Sequence, residues 1–134
     1  MRRSDQRREA VFVCYQRDVT ERPLSALLAE ARPFSAELAE GVEANRADLD
    51  EVISEYAEGW DLNRIAPLER NILRVALYEM SFSDDVPSEV AIDEAVEIAK
   101  KYSGTDAPGF VNGILGAAAR EMAATSESAE GAGR

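Results

Sequence analysis

The stretch that decides the fold is residues 67–80, PLERNILRVALYEM. Pro67 suits the first turn of a helix, because a backbone N–H has no intrahelical partner there. The apolar residues that follow keep helical spacing and leave little of the helix circumference polar: Ile72, Leu73, Val75, Ala76, Leu77 and Met80. A helix that is apolar on nearly every side belongs in a protein interior, so we expect other helices to surround this one.

Helical periodicity also precedes this central segment. A first helix is predicted from Ser4, whose hydroxyl can cap the free backbone N–H groups, to about Arg17. A short second helix is predicted from Pro23, and a long third one over residues 34–56, in which Gly41 marks a point where the helix can bend or break. The N-terminal half is therefore predicted to be entirely helical.

After residue 58 the pattern continues with a connector and two more helices. Residues 59–63 contain turn formers, and Trp60 is interpreted as a large anchor between two halves of the fold. A fifth helix capped by Ser88 is predicted to place its apolar stripe, ending at Tyr102, inward, and a sixth covers residues 110–122. Residues 123–134 are small, polar and aperiodic, which predicts a disordered acidic tail.

These elements predict an all-α fold of two packed antiparallel helical bundles with about six to seven helices. The bundles are expected at about residues 4–58 and 61–122, within one domain that covers residues 1–122. The length of 134 residues fits one compact domain of roughly 100–200 residues. A hydrophobic content of 46% is enough to build its core.

Composition argues against several classes of protein. The chain has no histidine, no cluster of cysteine and acidic residues at metal-binding spacing, and no glycine-rich loop that could hold a phosphate. We therefore expect neither an enzyme nor a metal or cofactor site. Cys14, the single cysteine, is predicted to be a small core residue. No apolar run approaches the roughly 20 residues of a membrane span, and the N-terminus lacks a secretory signal, which predicts a cytoplasmic protein without membrane contact.

The charge distribution limits where nucleic acid can bind. A net charge of −11 opposes binding of RNA over the whole surface. Residues 1–22, however, contain six arginines against four acids. Any RNA contact is therefore expected to be local and to involve the first helix.

Four segments of the chain, taken in order, resemble the NusB family. Residues 60–65, WDLNRI, are similar to its W-x-L-x-R-I connector, and residues 69–80 match its E-R-x-I-L-R-x-A-x-Y-E-L helix at nearly every defined position. Residues 90–102, VAIDEAVEIAKKY, resemble its V-A-I-x-E-A-V-x-L-A-K helix, and residues 110–115, FVNGIL, its F-V-N-G-x-L signature. The resemblance covers about residues 4–120.

The resemblance implies a two-bundle helical fold and a role in antitermination of rRNA transcription. Family members bind the boxA element of nascent RNA together with NusE, a small-subunit ribosomal protein, and then join other Nus factors on RNA polymerase. Some also self-associate, so a homodimer is a further expectation. Two alternatives stay open: a helical protein-interaction module that has lost RNA binding, and the N-terminal part of an rRNA cytosine methyltransferase, which requires a catalytic domain after it.

The resemblance implies RNA contacts at the start of the first helix and in the loop before the sixth, and two lysines at the end of the fifth helix extend the positive patch. Arginine and lysine can neutralise phosphates, and an aromatic ring can stack on an unpaired base. The alternatives are a solvated helix end, ordinary charges at a helix C-terminus and a core phenylalanine. The predicted RNA-binding residues are Arg2, Arg3, Arg7, Arg8, Lys100, Lys101, Asp106 and Phe110. Together they predict one positive surface on an otherwise negative protein.

The NusE contact implied by the resemblance lies on the first and fourth helices. Tyr15, Arg74 and Glu79 stand at the corresponding positions. Arg74 and Glu79 flank the buried stripe, so each is interpreted either as a rim residue of the interface or as half of an intramolecular salt bridge.

Overall fold

The structure, a computed structural model, describes the backbone of residues 2–132 and the side chains of residues 2–125. Its elements in chain order are α1 (Arg3–Thr20), α2 (Leu24–Leu27), α3 (Pro33–Tyr56), a 3-10 turn (Leu62–Arg64), α4 (Pro67–Phe82), α5 (Ser88–Tyr102) and α6 (Ala107–Ala132). The described backbone contains no β-strand, so the prediction of an all-α fold is confirmed. Over the same residues, none of the helices has both the length and the apolar character that a membrane-spanning segment needs.

The central helix is α4, as its sequence predicts. It packs against four other helices, α1, α3, α5 and α6. Ile72, Leu73 and Leu77 are at most 1% exposed, and the buried apolar side chains form one continuous core. Burial of each such side chain contributes about 1.5–3 kcal/mol to stability. Since α4 contacts helices from both halves of the sequence, its packing does not separate the chain into two units. The division into two bundles near residue 60 stays a prediction.

The long helix α3 runs without a break through Gly41. The ring of Tyr78 on α4 occupies the space that a Cβ atom at position 41 would fill. The side-chain amide of Asn45 donates a hydrogen bond of 2.8 Å to the Gly41 carbonyl, which keeps this turn of the helix satisfied. The glycine therefore permits close approach of α3 and α4, and it does not break the helix.

The predicted serine caps of α1 and α5 are wrong. Arg2 takes the N-cap position of α1 without a side-chain hydrogen bond, and the Ser4 hydroxyl donates instead to Glu94 Oε1 on α5, at 2.7 Å. Pro87 takes the N-cap position of α5, so Ser88 is already the first helical residue. Both serines lie one or more residues inside their helices, where a hydroxyl no longer faces the free N–H groups.

The last helix is longer at both ends than the sequence predicts. It begins at Ala107 and includes Pro108, because a proline is tolerated in the first helical turn. It also continues to Ala132, through most of the segment predicted to be a disordered tail from residue 123. The alanine and glutamate residues there are favourable for a helix, and no proline interrupts them. Residues 133 and 134 of the predicted tail lie outside the described residues.

Candidate nucleic-acid interface

Arg7, one of the predicted RNA-binding residues, lies in the protein interior. It is 6% exposed, and its Nε and Nη2 atoms donate to the two carboxylate oxygens of Glu79 on α4 at 2.8–2.9 Å. Its Nη1 atom lies 3.7 Å from Glu94 on α5. Burial alone would lower the pKa of Arg7, but the hydrogen bonds and charge of Glu79 outweigh it and raise the pKa. The guanidinium therefore joins three helices and does not face solvent.

A second buried ionic cluster joins α1, α3 and α4 near the other end of α1. Arg74 is 2% exposed and donates from Nε and Nη2 to the two oxygens of Asp50 at 2.7 and 2.9 Å. Its Nη1 atom donates to Asp18 at 2.9 Å. Arg70 and Asn71 donate to the same Asp18 oxygen at 2.9 and 3.0 Å. Every hydrogen-bonding group of this cluster that is buried has a partner.

The two clusters bear on the expected NusE contacts. Arg74 and Glu79 are both almost fully buried in intramolecular salt bridges, which is the second of the two interpretations given for them. Tyr15 is the one of the three that the fold leaves partly exposed. Contact of these residues with NusE stays a prediction.

The Asp18 cluster makes stability depend on pH. Burial would raise the pKa of Asp18, but hydrogen bonds from Asn71 and Arg70 and the charge of Arg74 lower it below its ordinary value. A carboxyl with a lower pKa in the folded state stabilises the fold above its unfolded pKa of about 3.9, and this stabilisation is lost as the pH falls through the folded pKa.

We therefore expect the free energy of unfolding to fall as the pH is lowered below about 4. Asp18→Asn should lose part of this pH dependence and should already be less stable at neutral pH, because Arg70 and Arg74 lose a charged partner. Urea unfolding at pH 7 and pH 3 measures both effects. Asp93→Asn, at an exposed position of α5, is the control. Identical pH profiles for Asp18→Asn and the unmodified protein would contradict the assignment.

Three cations meet in a groove between the start of α1 and the end of α5. This groove, the α1–α5 groove, has a volume of about 400 Å³. It is lined by Ser4, Arg8, Glu94, Glu97, Ile98, Lys100, Lys101 and Tyr102. The structure thus brings together three of the predicted RNA-binding residues from distant parts of the chain: Arg8, Lys100 and Lys101.

An aromatic pair lies at the same place. The rings of Phe12 and Tyr102 meet edge to face with centroids 5.1 Å apart, and Lys101 Nζ lies 5.4 Å from the Tyr102 ring centroid. Tyr102 is 39% exposed, although its place in the apolar stripe predicted that it would face inward. It is a candidate stacking residue that the sequence pattern hid, because it ends the stripe where α5 emerges from the core.

Acidic neighbours weaken the positive charge of this surface, and Glu94 and Glu97 line the groove beside its three cations. Three cations have a carboxylate partner: Arg3 with Asp85 at 3.6 Å, Arg8 with Asp5 at 2.8 Å and Lys100 with Glu97 at 3.4 Å. Such exposed pairs contribute only about 0–1 kcal/mol, so an incoming phosphate can replace the carboxylate. Arg2 and Lys101 have no ion pair among the described residues.

Asp106 and Phe110 line a different groove. They face Trp60, whose ring centroid lies 6.2 Å from that of Phe110. This groove and the α1–α5 groove share no lining residue. Trp60, interpreted from the sequence as a large anchor between two halves of the fold, is 54% exposed, so much of this residue lies in solvent at the connector.

Other chemistry finds no support in the described part of the chain. Burial raises the pKa of the Cys14 thiol to about 12, which keeps it protonated and unreactive at neutral pH. Among the residues with described side chains, no three cysteine or acidic groups are arranged to hold a metal ion.

The family model for NusB matches residues 4–120, which is most of the chain. The chain belongs to the NusB family. The transcription antitermination protein NusB of Rubrobacter xylanophilus is 45% identical over 122 residues, which cover 86% of this chain and 88% of that protein. The NusB protein of Saccharopolyspora erythraea is 44% identical over 124 residues, and this match covers 85% of this chain and 84% of that protein. These relatives carry the name of a transcription factor, not of an enzyme.

Solved NusB structures have the same fold. The NusB structure from T. maritima superimposes with a TM-score of 0.84 at 35% identity, covering 90% of this chain and 92% of that one. A chain from the crystal structure of antitermination factors NusB and NusE in complex with dsRNA superimposes with a TM-score of 0.80. That match covers 90% of this chain and 99% of that one at 24% identity, which shows the shared fold alone.

Proposed function

We propose that this protein is a transcription antitermination factor that binds boxA-type RNA of nascent rRNA transcripts together with NusE. The bound pair would then join the Nus complex on RNA polymerase in the cytoplasm. Membership of the NusB family supports this proposal, as do curated relatives named for transcription antitermination. Because the match spans 88% of the Rubrobacter relative, it favours such a factor over an rRNA methyltransferase.

The observation that carries the proposal is the α1–α5 groove. Arg8, Lys100 and Lys101 come from opposite parts of the sequence and converge beside the exposed ring of Tyr102. Cations that neutralise phosphates next to a ring that stacks on a base are the usual components of a site for single-stranded RNA. Arg2, at the exposed start of α1, extends the same basic end.

Arg7 acts indirectly in this proposal. Its salt bridge to Glu79 and its contact with Glu94 hold α1 against α4 and α5, and they thereby hold the two sides of the groove together. We propose Tyr15 as the direct NusE contact, because it is partly exposed on α1. Arg74 and Glu79 would influence NusE binding through the position of α1.

A salt-dependent titration tests the RNA site. Arg8→Ala and Lys101→Ala should each weaken binding of a boxA-like RNA and reduce the slope of log K against log salt by about 0.7, because each removes one phosphate contact. Arg22→Ala removes an exposed arginine that follows α1 and has no ion pair among the described residues, so it should leave the slope unchanged. Fluorescence anisotropy of labelled RNA, with circular dichroism as a check of the fold, measures these effects.

The same titration with and without NusE tests the joint mechanism. NusE should raise the affinity for boxA-like RNA more than for a scrambled sequence, since two linked contacts then add. Equal affinities for both sequences, unchanged by NusE, would contradict the proposal.

A protein-interaction module without RNA binding is the second candidate function. The net charge of −11 and the ion pairs of Arg3, Arg8 and Lys100 favour it. It predicts that NusE binds tightly while RNA does not bind at all at physiological salt.

A further inference from the structure

An apolar groove lies between α3 and the second half of α6. This groove, the α3–α6 groove, has a volume of about 470 Å³. Its apolar lining comes from three helices: Leu49, Val52 and Tyr56 of α3, Leu77 of α4, and Ala118 and Met122 of α6. Leu77 is 1% exposed, so α4 forms the floor. Val52, Tyr56 and Met122 pack against the core but stay partly exposed, so the core reaches solvent here.

The α3–α6 groove is separate from the surfaces predicted for RNA and NusE. All four long helices other than α4 contact α4, and around it α1 contacts α3, α3 contacts α6, α6 contacts α5 and α5 contacts α1. The α1–α5 and α3–α6 grooves therefore lie at two helix pairs that share no helix. None of the residues predicted to contact RNA or NusE lines the α3–α6 groove. A ligand bound there needs none of them.

The charged residues of the lining are all acidic. Glu55 of α3 and Glu121 of α6 are exposed, and neither carboxylate has an ion pair or a hydrogen bond among the residues with described side chains. Desolvation of the Tyr56 hydroxyl and the charges of Glu55 and Glu121 raise the pKa of Tyr56, so both acids lie close to this residue. Residues 47–58 contain five acids and no base. An apolar ligand with cations beside it therefore complements the groove.

The length of the groove suits two turns of a helix. Its lining runs from Leu49 to Tyr56 on α3 and from Ala118 to Thr125 on α6, a separation of seven residues in each helix. At a rise of 1.5 Å per residue, each wall is about 10.5 Å long. Apolar side chains at positions i, i+4 and i+7 of a partner helix span the same distance, and this spacing is typical of helices that bind in apolar grooves.

We propose that the α3–α6 groove binds an amphipathic helix of a partner protein, with apolar side chains at i, i+4 and i+7 and lysine or arginine beside them. The apolar side chains enter the groove between Val52 and Met122, and the cations bind Glu55 and Glu121. This contact goes beyond the proposed function, because it gives the protein a partner other than RNA and NusE.

The charge of the groove favours this occupant over three others. In a two-fold dimer the same surface of both copies meets, so Glu55 and Glu121 would lie near the same acids of the second copy. Like charges across an interface oppose association. The carboxylates repel the phosphates of RNA and the anionic surface of a membrane for the same reason. A cationic helix is attracted by them and covers the apolar side chains.

A designed peptide tests the groove in the full-length protein. The probe is a labelled peptide of about 15 residues made of alanine, leucine and lysine, with leucines at i, i+4 and i+7 and lysines on both sides of them. Fluorescence anisotropy should show saturable binding. A peptide of the same composition with its leucines distributed around the helix should bind about tenfold more weakly, because it cannot bury them together. Saturating boxA-like RNA should not displace the probe.

Variants of the two acids test the charge of the groove. Glu55→Gln and Glu121→Gln should each weaken binding of the probe by up to about fivefold, which is the effect of one exposed ion pair. Glu40→Gln, at an exposed position of α3 outside the groove, is the matched control and should have no effect. The double variant Glu55→Lys/Glu121→Lys should instead prefer a peptide in which glutamate replaces every lysine.

A variant of Met122 tests the apolar contact. Met122→Ala should weaken binding of the probe about tenfold, because it removes apolar surface that the bound helix covers. Val90→Ala shortens an apolar side chain of α5 that is 40% exposed and lies outside the groove, so it should leave binding unchanged. Circular dichroism and urea unfolding of each variant show whether the fold is retained.

Four results would contradict the proposal. Absence of saturable binding would show that the groove does not accept a helix. Equal binding of the two leucine arrangements, or equal losses from Glu55→Gln and Glu40→Gln, would mean that the overall negative charge holds the probe. Displacement by boxA-like RNA would place the probe in the α1–α5 groove. Self-association of the protein that Met122→Ala abolishes would make the groove a contact between two copies. The proposed RNA binding is tested separately by its own titration.

Discussion

Glu79→Ala is expected to lower the free energy of unfolding by about 3–5 kcal/mol. The substitution leaves the guanidinium of Arg7, which is 6% exposed, without the carboxylate that accepts its three short hydrogen bonds. A buried charge without a partner destabilises the folded state far more than a buried ion pair does. Urea unfolding followed by circular dichroism measures the change. Because Arg7 also positions α1, the variant should bind RNA more weakly even where it is folded.

Two further variants make the cause clear. Glu97→Ala removes an exposed carboxylate that pairs with Lys100, and its effect should lie within about 0.5 kcal/mol. The double variant Arg7→Met/Glu79→Leu removes both charges and should recover much of the stability, since apolar side chains of similar size often replace a buried pair without loss. If Glu79→Ala is as mild as Glu97→Ala, the pair is not the buried contact described above.

Arg74→Ala is expected to cost a comparable 3–5 kcal/mol. Arg74 is 2% exposed and binds Asp18 and Asp50 at once. Its removal takes both arginine hydrogen bonds from Asp50, leaves only the 4.0 Å contact of Asp50 with Arg46, and opens a cavity between α1, α3 and α4. The free energy of unfolding of Arg74→Lys should lie between those of Arg74→Ala and the unmodified protein, because lysine keeps the charge but cannot donate to both oxygens of Asp50 at once. Urea unfolding at neutral pH measures the free energy of unfolding of both variants and of the unmodified protein.

Arg46→Ala provides the matched control for this cluster. Arg46 pairs with the same two acids, at 3.1 Å from Asp18 and 4.0 Å from Asp50, but 36% of its side chain is exposed. Its removal should cost less than about 1 kcal/mol. Equal losses for Arg46→Ala and Arg74→Ala would mean that burial does not set the strength of these pairs.

The helices could be predicted from sequence because the apolar spacing is regular and the prolines mark helix starts. The central position of α4 follows directly from its apolar circumference. The serine caps were predicted wrongly, since a hydroxyl that bonds to a residue of another helix, as that of Ser4 does with Glu94, leaves no local signal in the sequence. The extension of α6 was missed because residues 123–132 lack apolar periodicity, although alanine alone favours a helix there.

The candidate site was predicted in part. The basic residues of α1 and α5 converge, whereas Asp106 and Phe110, predicted to belong to the same surface, line a separate groove. Arginines at adjacent positions also face different directions. Arg8 faces the groove, whereas Arg7 points into the core. Glu79, the carboxylate that binds Arg7, is 72 positions away in the sequence. Only the tertiary structure therefore distinguishes Arg7 from Arg8. Trp60 was interpreted as an anchor between two halves of the fold because its ring is large, but the sequence does not show that the residue is 54% exposed at the connector.

The buried ionic clusters at the two ends of α1 also determine what binding costs. Arg7 fixes the helix near its first turns and Asp18 near its last, so the backbone of the basic surface is rigid before any ligand arrives. Only long side chains at the rim, such as Arg8 and Lys101, lose freedom on association, at about 0.5–1.5 kcal/mol each. Preorganisation of this kind lowers the cost of the RNA binding that we propose for the few cations on this acidic protein.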